Sequence, residues 1–381
     1  MTTGRPVYLD VNATTPLDPR VAATMRDAME LFGNPSSGHA YGREAHAALD
    51  LARARVAGLL GCSPAEIVFT SGGTEANNHT VKGAAWARAD RGRHLVISAV
   101  EHPAVRGPAA WLAARGWETT TVPVDRDGRV DPADVARAVR PDTVLVSVMH
   151  ANNEVGTLQP VAEIAGIVRA AGALMHTDAA QSAGKVAVRV GELDVDLLSL
   201  AGHKLYGPKG VGALYVRGGV AIENLSHGAG HESGRRPGTE SVMLIAGLGE
   251  AARIAAAELG EELPRLTKLR DRLEAALCAG CPDAVVHARQ AERLPNTLSL
   301  GFPGARADRL LAGLPGVACS AGAACHGGGA EVSAVLAAMG APREAALGTL
   351  RFSVGRFTTR EDVDRAVPLI LTAVAAARRE G

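Results

Sequence analysis

From Glu66 onward the chain alternates between short apolar runs and helical patterns, and this alternation restricts the possible fold more than any other feature. Ile67-Val68-Phe69-Thr70, Leu95-Val96-Ile97-Ser98, Glu118 to Val124, Val144 to Val148, Leu174-Met175-His176-Thr177-Asp178 and Asp196-Leu197-Leu198-Ser199-Leu200 each read as a strand. Helical stretches separate most of them. Runs this short and continuous, spaced by helices, predict an α/β fold with a largely parallel sheet covered on both faces. In such sheets the functional residues collect at the carboxyl ends of the strands.

After about residue 259 the pattern changes. A helical run from Glu261 to Cys278 leads to strands at Thr297 to Leu300 and Val317 to Cys319, a helix from Val332 to Met339, a strand from Thr349 to Ser353 and a last helix from Glu361 to about Arg378. This reads as a smaller α+β domain. The expected division is a large domain at 15–259 and a small one made of 1–14 and 260–381, with the Cys325 loop on the small domain.

Lys204 ends the last strand of the alternating region, and Val211 to Val216 follows as another apolar run. A lysine at the end of a buried strand is costly unless its amine has a partner or a reaction to perform. Desolvation lowers a lysine pKa and suits it to Schiff-base formation, so Lys204 is a candidate anchor for pyridoxal 5′-phosphate; the other reading is a surface lysine in a Gly-Pro turn. That cofactor also needs a carboxylate at its ring nitrogen, a phosphate cradle and a flat group against the ring. Asp178 closes the preceding strand and supplies a carboxylate, or else caps a helix or turn. Ser71-Gly72-Gly73-Thr74 runs from a strand into a helix N-terminus, whose free amides suit a phosphate. His102 ends another strand and could stack on the ring, and Gln181 could bond the ring hydroxyl.

Cys325 forms a second centre. It precedes a run of three glycines, after one intervening histidine, in Gly322-Ala323-Ala324-Cys325-His326-Gly327-Gly328-Gly329, which reads as a mobile loop. A thiol in such a loop suggests reactivity, whereas Cys319 reads as a core cysteine on a strand. Arg351, on a strand of the same domain, could grip a substrate carboxylate bidentately, or form a surface ion pair. Cys278-Ala279-Gly280-Cys281 has redox or zinc spacing but no second pair, so it reads as structural and no metal site is expected.

The totals narrow the partners. Lys+Arg and Asp+Glu are both 40 in 381 residues, which argues against a broad nucleic-acid or membrane surface. The N-terminus lacks an apolar signal core, and the apolar stretch from Ala366 to Ala377 is too short to span a bilayer. A soluble, cytoplasmic protein is expected, and five cysteines in a chain this long are no disulfide framework.

Motifs then accumulate in one order: Tyr8-Leu9-Asp10 with Asn12-Ala13-Thr14-Thr15-Pro16; Gly33-Asn34-Pro35-Ser36-Ser37; Thr70 to Glu75; Glu101-His102; Asn152-Asn153-Glu154-Val155-Gly156; His176 to Gln181; Gly202 to Pro208; Arg236-Pro237-Gly238-Thr239-Glu240; and Arg351 to Arg356. Over nearly its whole length the chain resembles the class V, pyridoxal-phosphate-dependent cysteine desulfurases and selenocysteine lyases. The resemblance implies the PLP-dependent transferase fold type I. It implies that Lys204 is the Schiff-base lysine, that His102 stacks on the ring, that Asp178 pairs with the ring nitrogen and that Gln181 contacts the ring oxygen. Gly73, Thr74 and His203 would hold the phosphate, with Thr239 reaching the phosphate of a partner subunit in a homodimer. Asn153 and Arg351 would hold the substrate carboxylate.

The implied reaction is L-cysteine to L-alanine. Lys204 would take the Cα proton, and the Cys325 thiolate would attack the substrate sulfur and carry it as a persulfide to an acceptor protein. Two departures from the pattern stand out: Ala201 and Gly202 stand where many bacterial desulfurases carry serines, and Val11 replaces a commonly polar residue. The Cys325 segment, Gly202-His203-Lys204 and Arg236 to Glu240 look more like selenocysteine lyases, so L-selenocysteine is the alternative substrate. A catalytically idle sulfur-transfer scaffold is the alternative of another class, and an aminotransferase would leave Cys325 without a role. The sulfur destination, whether iron–sulfur clusters, thiolated tRNA or modified DNA, is not written in these motifs.

Overall fold

The computed structural model describes residues 5–321, 323–326 and 329–379, with the backbone alone over 323–326 and 329–330. A two-residue strand, β1 (Val7–Tyr8), precedes helices α1 (Pro19–Ala28) and α2 (Ala40–Leu60). The central sheet then takes in β2 (Ile67–Thr70), β3 (His94–Ser98), β4 (Glu118–Val122), β5 (Thr143–Ser147), β6 (Leu174–Asp178), β7 (Leu197–Ala201) and β8 (Gly212–Val216). Helices α3 (Gly73–Ala87), α4 (Pro103–Ala113), α5 (Pro132–Ala138), α6 (Val161–Ala170) and α7 (Val190–Leu193) connect them, and α8 (Val242–Gly280) follows.

The seven strands lie in the order β2-β8-β7-β6-β5-β3-β4, all parallel except β8, which runs against both neighbours. The pleat sends alternate residues to opposite faces. Val68, Leu95, Ile97, Leu145, Leu197 and Leu214 pack with α3 and α4 on one face. Phe69, Val96, Val146, Met175, Leu198 and Ala213 pack with α2, α6 and the first half of α8 on the other. Gly212 is required where β8 enters the sheet, because a Cβ there would sit 2.5 Å from the Leu200 carbonyl and 2.7 Å from Gly72 Cα. The carboxyl ends of β2, β3, β5, β6 and β7 therefore face the same side.

A second, antiparallel sheet joins β9 (Val285–Val286), β10 (Thr297–Gly301), β15 (Thr349–Ser353) and β12 (Ser320–Ala321). Strand β1 pairs in parallel with β11 (Val317–Ala318). Helices α9 (Ala307–Ala312), α10 (Ala334–Ala338), α11 (Arg343–Leu347) and α12 (Arg360–Arg379) complete this region. Val7, Leu9, Leu298, Phe302, Phe352 and Ile370 share its core.

Three readings of the sequence change here. The helix expected from Glu261 begins at Val242 and runs unbroken for 39 residues through Pro264. Its first half buries Ile245, Leu248, Ala252 and Ala255 in the first core, and its second half buries Leu266, Leu269, Leu273 and Leu277 in the other. The change of pattern near 259 is thus a change of which core the helix touches. The segment read as a mobile loop is a hairpin of β13 (Ala323–His326) and β14 (Gly329–Val332), with Cys325 opposite Ala330. Gly322, Gly327, Gly328 and the Cys325 thiol lie outside the described residues. Cys319 falls between β11 and β12 and is only partly buried.

One buried ion pair pins the segment before α8 to the sheet. Glu232 accepts both guanidinium nitrogens of Arg53, at 2.7 and 2.8 Å, and the Phe69 amide at 2.9 Å. Glu232→Ala strands a part-buried guanidinium and an amide, and is expected to cost about 3–5 kcal/mol in urea unfolding. Arg53→Met with Glu232→Met should lose less than Glu232→Ala alone. Equal or larger loss in the double variant contradicts this account.

Candidate active site

The strand ends converge on a cavity of about 240 Å³ lined by, among others, Gly73, Thr74, His102, Asp178, Gln181, His203 and Lys204. Each residue arrives there for a local reason. Lys204 closes a short 3-10 turn, Gly202–Lys204, directly after β7, and its Nζ donates to the Asn12 carbonyl at 2.9 Å. Asp178 ends β6, beside β7, with its backbone opposite Ser199. Its Oδ1 accepts the Ala180 amide at 2.9 Å and its Oδ2 accepts Asn77 Nδ2 at 2.7 Å, so the carboxylate is aimed from both sides. Helix α3 begins at Gly73 without a side-chain cap, and Gly73 and Thr74 form part of the cavity wall. A Cβ on Gly73 would lie 3.3 Å from the Ala201 Cβ, so glycine keeps this backbone close to β7.

His102 is the N-cap of α4. Its Nδ1 accepts the Ala104 amide at 3.1 Å, which places the proton of the neutral ring on Nε2. Burial lowers its pKa, with Asp178 opposing and Lys204 adding to the shift. Burial also pushes the neighbouring Glu101 carboxyl up to about 8, while its Oε1 accepts Ser98 Oγ and the Met149 amide, both at 2.7 Å. Burial, reinforced by the Arg351 cation, lowers the Lys204 amine to about 8 against the pull of Asp178 and Asp10. His203 falls to about 4, first through burial and then through the charges of Lys204 and Lys209. Its Nδ1 lies 3.2 Å from Thr14 Oγ1. The result is a desolvated amine poised near neutrality, two uncharged imidazoles, a fixed carboxylate and an open helix N-terminus.

Not every expected residue meets the cavity. Asn153 lines it, but the described wall does not include Arg351. Arg351 sits behind Asn153, donating to its carbonyl at 3.0 Å and to Asp10 Oδ1 at 2.8 Å. Asp10 in turn accepts Ser320 Oγ at 2.9 and 2.8 Å. Thr239 is exposed and borders a separate hollow with Met29, Phe32 and Asn34. The sequence reading assigned no role to Asn77, although it stands one helical turn after Gly73, and none to Asn12, whose carbonyl receives Lys204. Among the described residues no group of three or more His, Cys, Asp and Glu side chains could hold a metal ion, and no helix is long and apolar enough to cross a membrane.

Parallel strands that deliver a part-buried lysine, an aspartate and an uncapped helix N-terminus to one cavity define a fold type I enzyme, and the sequence pattern described as Aminotransferase class-V matches residues 7–366. The chain belongs to that family, whose cysteine desulfurases depend on pyridoxal phosphate. Within it the chain is similar to the cysteine desulfurase IscS of Dictyoglomus turgidum (strain DSM 6724 / Z-1310), 44% identical over 369 residues, covering 96% of this chain and 94% of the relative. The cysteine desulfurase IscS of Methanosarcina thermophila is 45% identical over 372 residues, covering 97% of this chain and 92% of its own. The solved structure of a NifS-like protein superposes with a TM-score of 0.92 at 39% identity, covering 97% of this chain and all of that one.

The residues present fit the family's cofactor. The glycine-led, uncapped N-terminus of α3 offers backbone amides to a phosphate. The Asp178 carboxylate and the Lys204 amine line the same cavity. Ala201 also lines it but carries no hydroxyl, so at this position only backbone can contact a phosphate.

Proposed function

We infer that this chain is a cytoplasmic cysteine desulfurase, converting L-cysteine to L-alanine and passing the sulfur through Cys325 to an acceptor protein. The observation that carries the reading is the desolvated Lys204 amine, lowered to about 8 in the same cavity as Asp178, His102 and the α3 N-terminus. The close identity to curated cysteine desulfurases over nearly the whole chain supports the substrate.

Pyridoxal 5′-phosphate, when bound, supplies a conjugated ring that takes up the electron pair left at the substrate Cα. The α3 N-terminus with Gly73, Thr74 and His203 would hold its phosphate. Asp178, kept in place by Asn77 and the Ala180 amide, would hold a proton on its ring nitrogen. The neutral His102 would stack on its ring, and Gln181 would bond its ring oxygen. Asn153 and Arg351 receive the substrate carboxylate, so Arg351 exchanges Asp10 for substrate. Lys204, the Schiff-base lysine, takes the Cα proton; an amine near pKa 8 is a competent base at neutral pH. The Cys325 thiolate then attacks the substrate sulfur: the S–S bond of the persulfide forms as the Cβ–S bond breaks, the bonding pair stays with the three-carbon unit, and that unit takes up protons at Cβ and Cα and leaves as alanine.

Thr239 serves the partner's phosphate in a homodimer. Large exposed apolar side chains support this arrangement: Phe32 and Met29 border the same hollow and are 78% and 62% exposed, and Tyr41, stacked near Phe32, is 57% exposed. The test is alanine formation by the pyridoxal-phosphate-loaded protein from L-cysteine and from L-selenocysteine. Alanine from L-cysteine, with persulfide on the protein, is expected. Alanine from L-selenocysteine alone overturns the desulfurase reading in favour of a selenocysteine lyase, and no turnover of either leaves a sulfur-transfer scaffold.

A further inference from the structure

Among the described residues, Lys185 is the one buried lysine to which the chemistry above gives no role. It is 4% exposed and follows Gln181 by four residues in the turn after β6. Its Nζ donates to Gln181 Oε1 at 2.9 Å and to Asn12 Oδ1 at 3.2 Å. Neither partner is a carboxylate. Burial, with Lys204 and Arg351 adding to it, holds the amine well below its ordinary range. An uncharged amine can stay at such a site, whereas an unpaired ammonium there would be very costly.

The value of a donor here lies in what it does to two amides. A side-chain amide has an accepting end and a donating end, and its partners decide which way it points. Because Lys185 donates to Oε1, the Gln181 NH2 group must point the other way. One of its hydrogens goes to the Asn12 carbonyl at 2.9 Å, and the second is available to the cavity that Gln181 lines. The same logic fixes Asn12. Its Oδ1 accepts Lys185 and, at 3.0 Å, Asn296 Nδ2, so its own Nδ2 turns to Thr297 Oγ1 at 2.8 Å and the Asn153 carbonyl at 3.3 Å. The Asn12 backbone carbonyl is left to receive Gln181 Nε2 and Lys204 Nζ together.

We propose that Lys185 is a positioning residue whose donation to Gln181 Oε1 and Asn12 Oδ1 makes Gln181 present its NH2 group, not its carbonyl, to the ring oxygen of the cofactor. The proposal rests on the pyridoxal-phosphate reading given above. Its consequence is electronic. A donor stabilises the deprotonated ring oxygen, and a carbonyl in its place repels that form and favours the protonated one.

The test uses the full chain loaded with pyridoxal phosphate and reads its absorption spectrum, not its turnover. Lys185→Met keeps the volume but removes the donor. It is expected to lower the ratio of visible to near-ultraviolet cofactor absorbance about tenfold, the worth of a hydrogen bond of about 1.4 kcal/mol. Lys185→Gln, which can still donate, should recover most of the visible band. In a Gln181→Met background, Lys185→Met should change the ratio no further. A full extra shift in that background, or an unchanged spectrum in Lys185→Met, overturns the role of Lys185. If Lys185→Met does not fold, Lys185→Gln compared with Lys185→Ala carries the same contrast. A wild-type protein that stays colourless with pyridoxal phosphate overturns the cofactor reading itself, which separates the two failures.

Discussion

Lys204→Met is expected to abolish alanine formation and, at the same time, to make the cofactor-free protein more stable at pH 7. The first effect follows from the two duties proposed for the amine, cofactor anchor and base, and should exceed about 10³-fold. The second follows from desolvation. The amine titrates at about 8 in the fold against an ordinary 10.5. Between those values the unfolded chain holds more protons, so stability rises with pH across the window, and below it the folded chain carries the full cost of a buried charge. That cost is about 3 kcal/mol, and losing the bond to the Asn12 carbonyl returns about 1 kcal/mol of it. A net gain of about 2 kcal/mol is expected for the variant at pH 7, shrinking as the pH rises from 8 toward 10.5. Urea unfolding of both cofactor-free proteins across this range measures it. A variant less stable than wild type at pH 7 contradicts the desolvated-amine account.

Cys325→Ala is expected to remove persulfide formation from L-cysteine while leaving cofactor uptake at the wild-type level. The other thiols cannot substitute. Burial raises Cys319 to about 12, with Asp10 adding to the shift, and burial with Glu66 raises Cys62 to about 12. Cys278 and Cys281 are also raised. A thiol near 12 is ionised to roughly one part in 10⁴ or less at pH 7–8, and the thiolate is the nucleophile. Sulfur transfer should therefore fall at least about 10³-fold in Cys325→Ala and stay within about twofold in Cys319→Ala. Alkylation of the protein after exposure to L-cysteine, followed by mass spectrometry, locates the extra sulfur. Finding it on Cys319 in either protein would refute the assignment.

The alternating apolar runs made the central sheet legible, because a strand buried on both faces leaves an uninterrupted signature. Lys204, Asp178, Gly73 and Thr74 were legible because parallel strands put their carboxyl ends together. What escaped was long-range or two-sided. The antiparallel direction of β8 depends on a tight return after Lys204, not on its composition. The length of α8 was hidden by the change of pattern near residue 259, which placed the helix start at Glu261, while packing against two cores in turn carries one helix from Val242 to Gly280. The Cys325 hairpin was hidden by its glycines, which suggest freedom whether or not the backbone pairs. Lys185 could have been noticed four residues from Gln181, but nothing local tells a buried lysine from an exposed one. Asn12 sits in a motif visible in the sequence; its bonds to Lys204, Lys185 and Thr297 come from partners 173 to 285 residues away.

Those separations bear on how the protein is made. The Asn12 amide donates to Ser353 Oγ across 341 residues, and β1 is held by β11. During synthesis, β2 through β8 and the start of α8 can assemble while the ribosome is still making the rest. The segment that receives the Lys204 amine cannot settle until β15 has emerged. A nascent chain thus passes through a stage with a formed sheet and an unfinished catalytic pocket, and cofactor capture falls late in biogenesis.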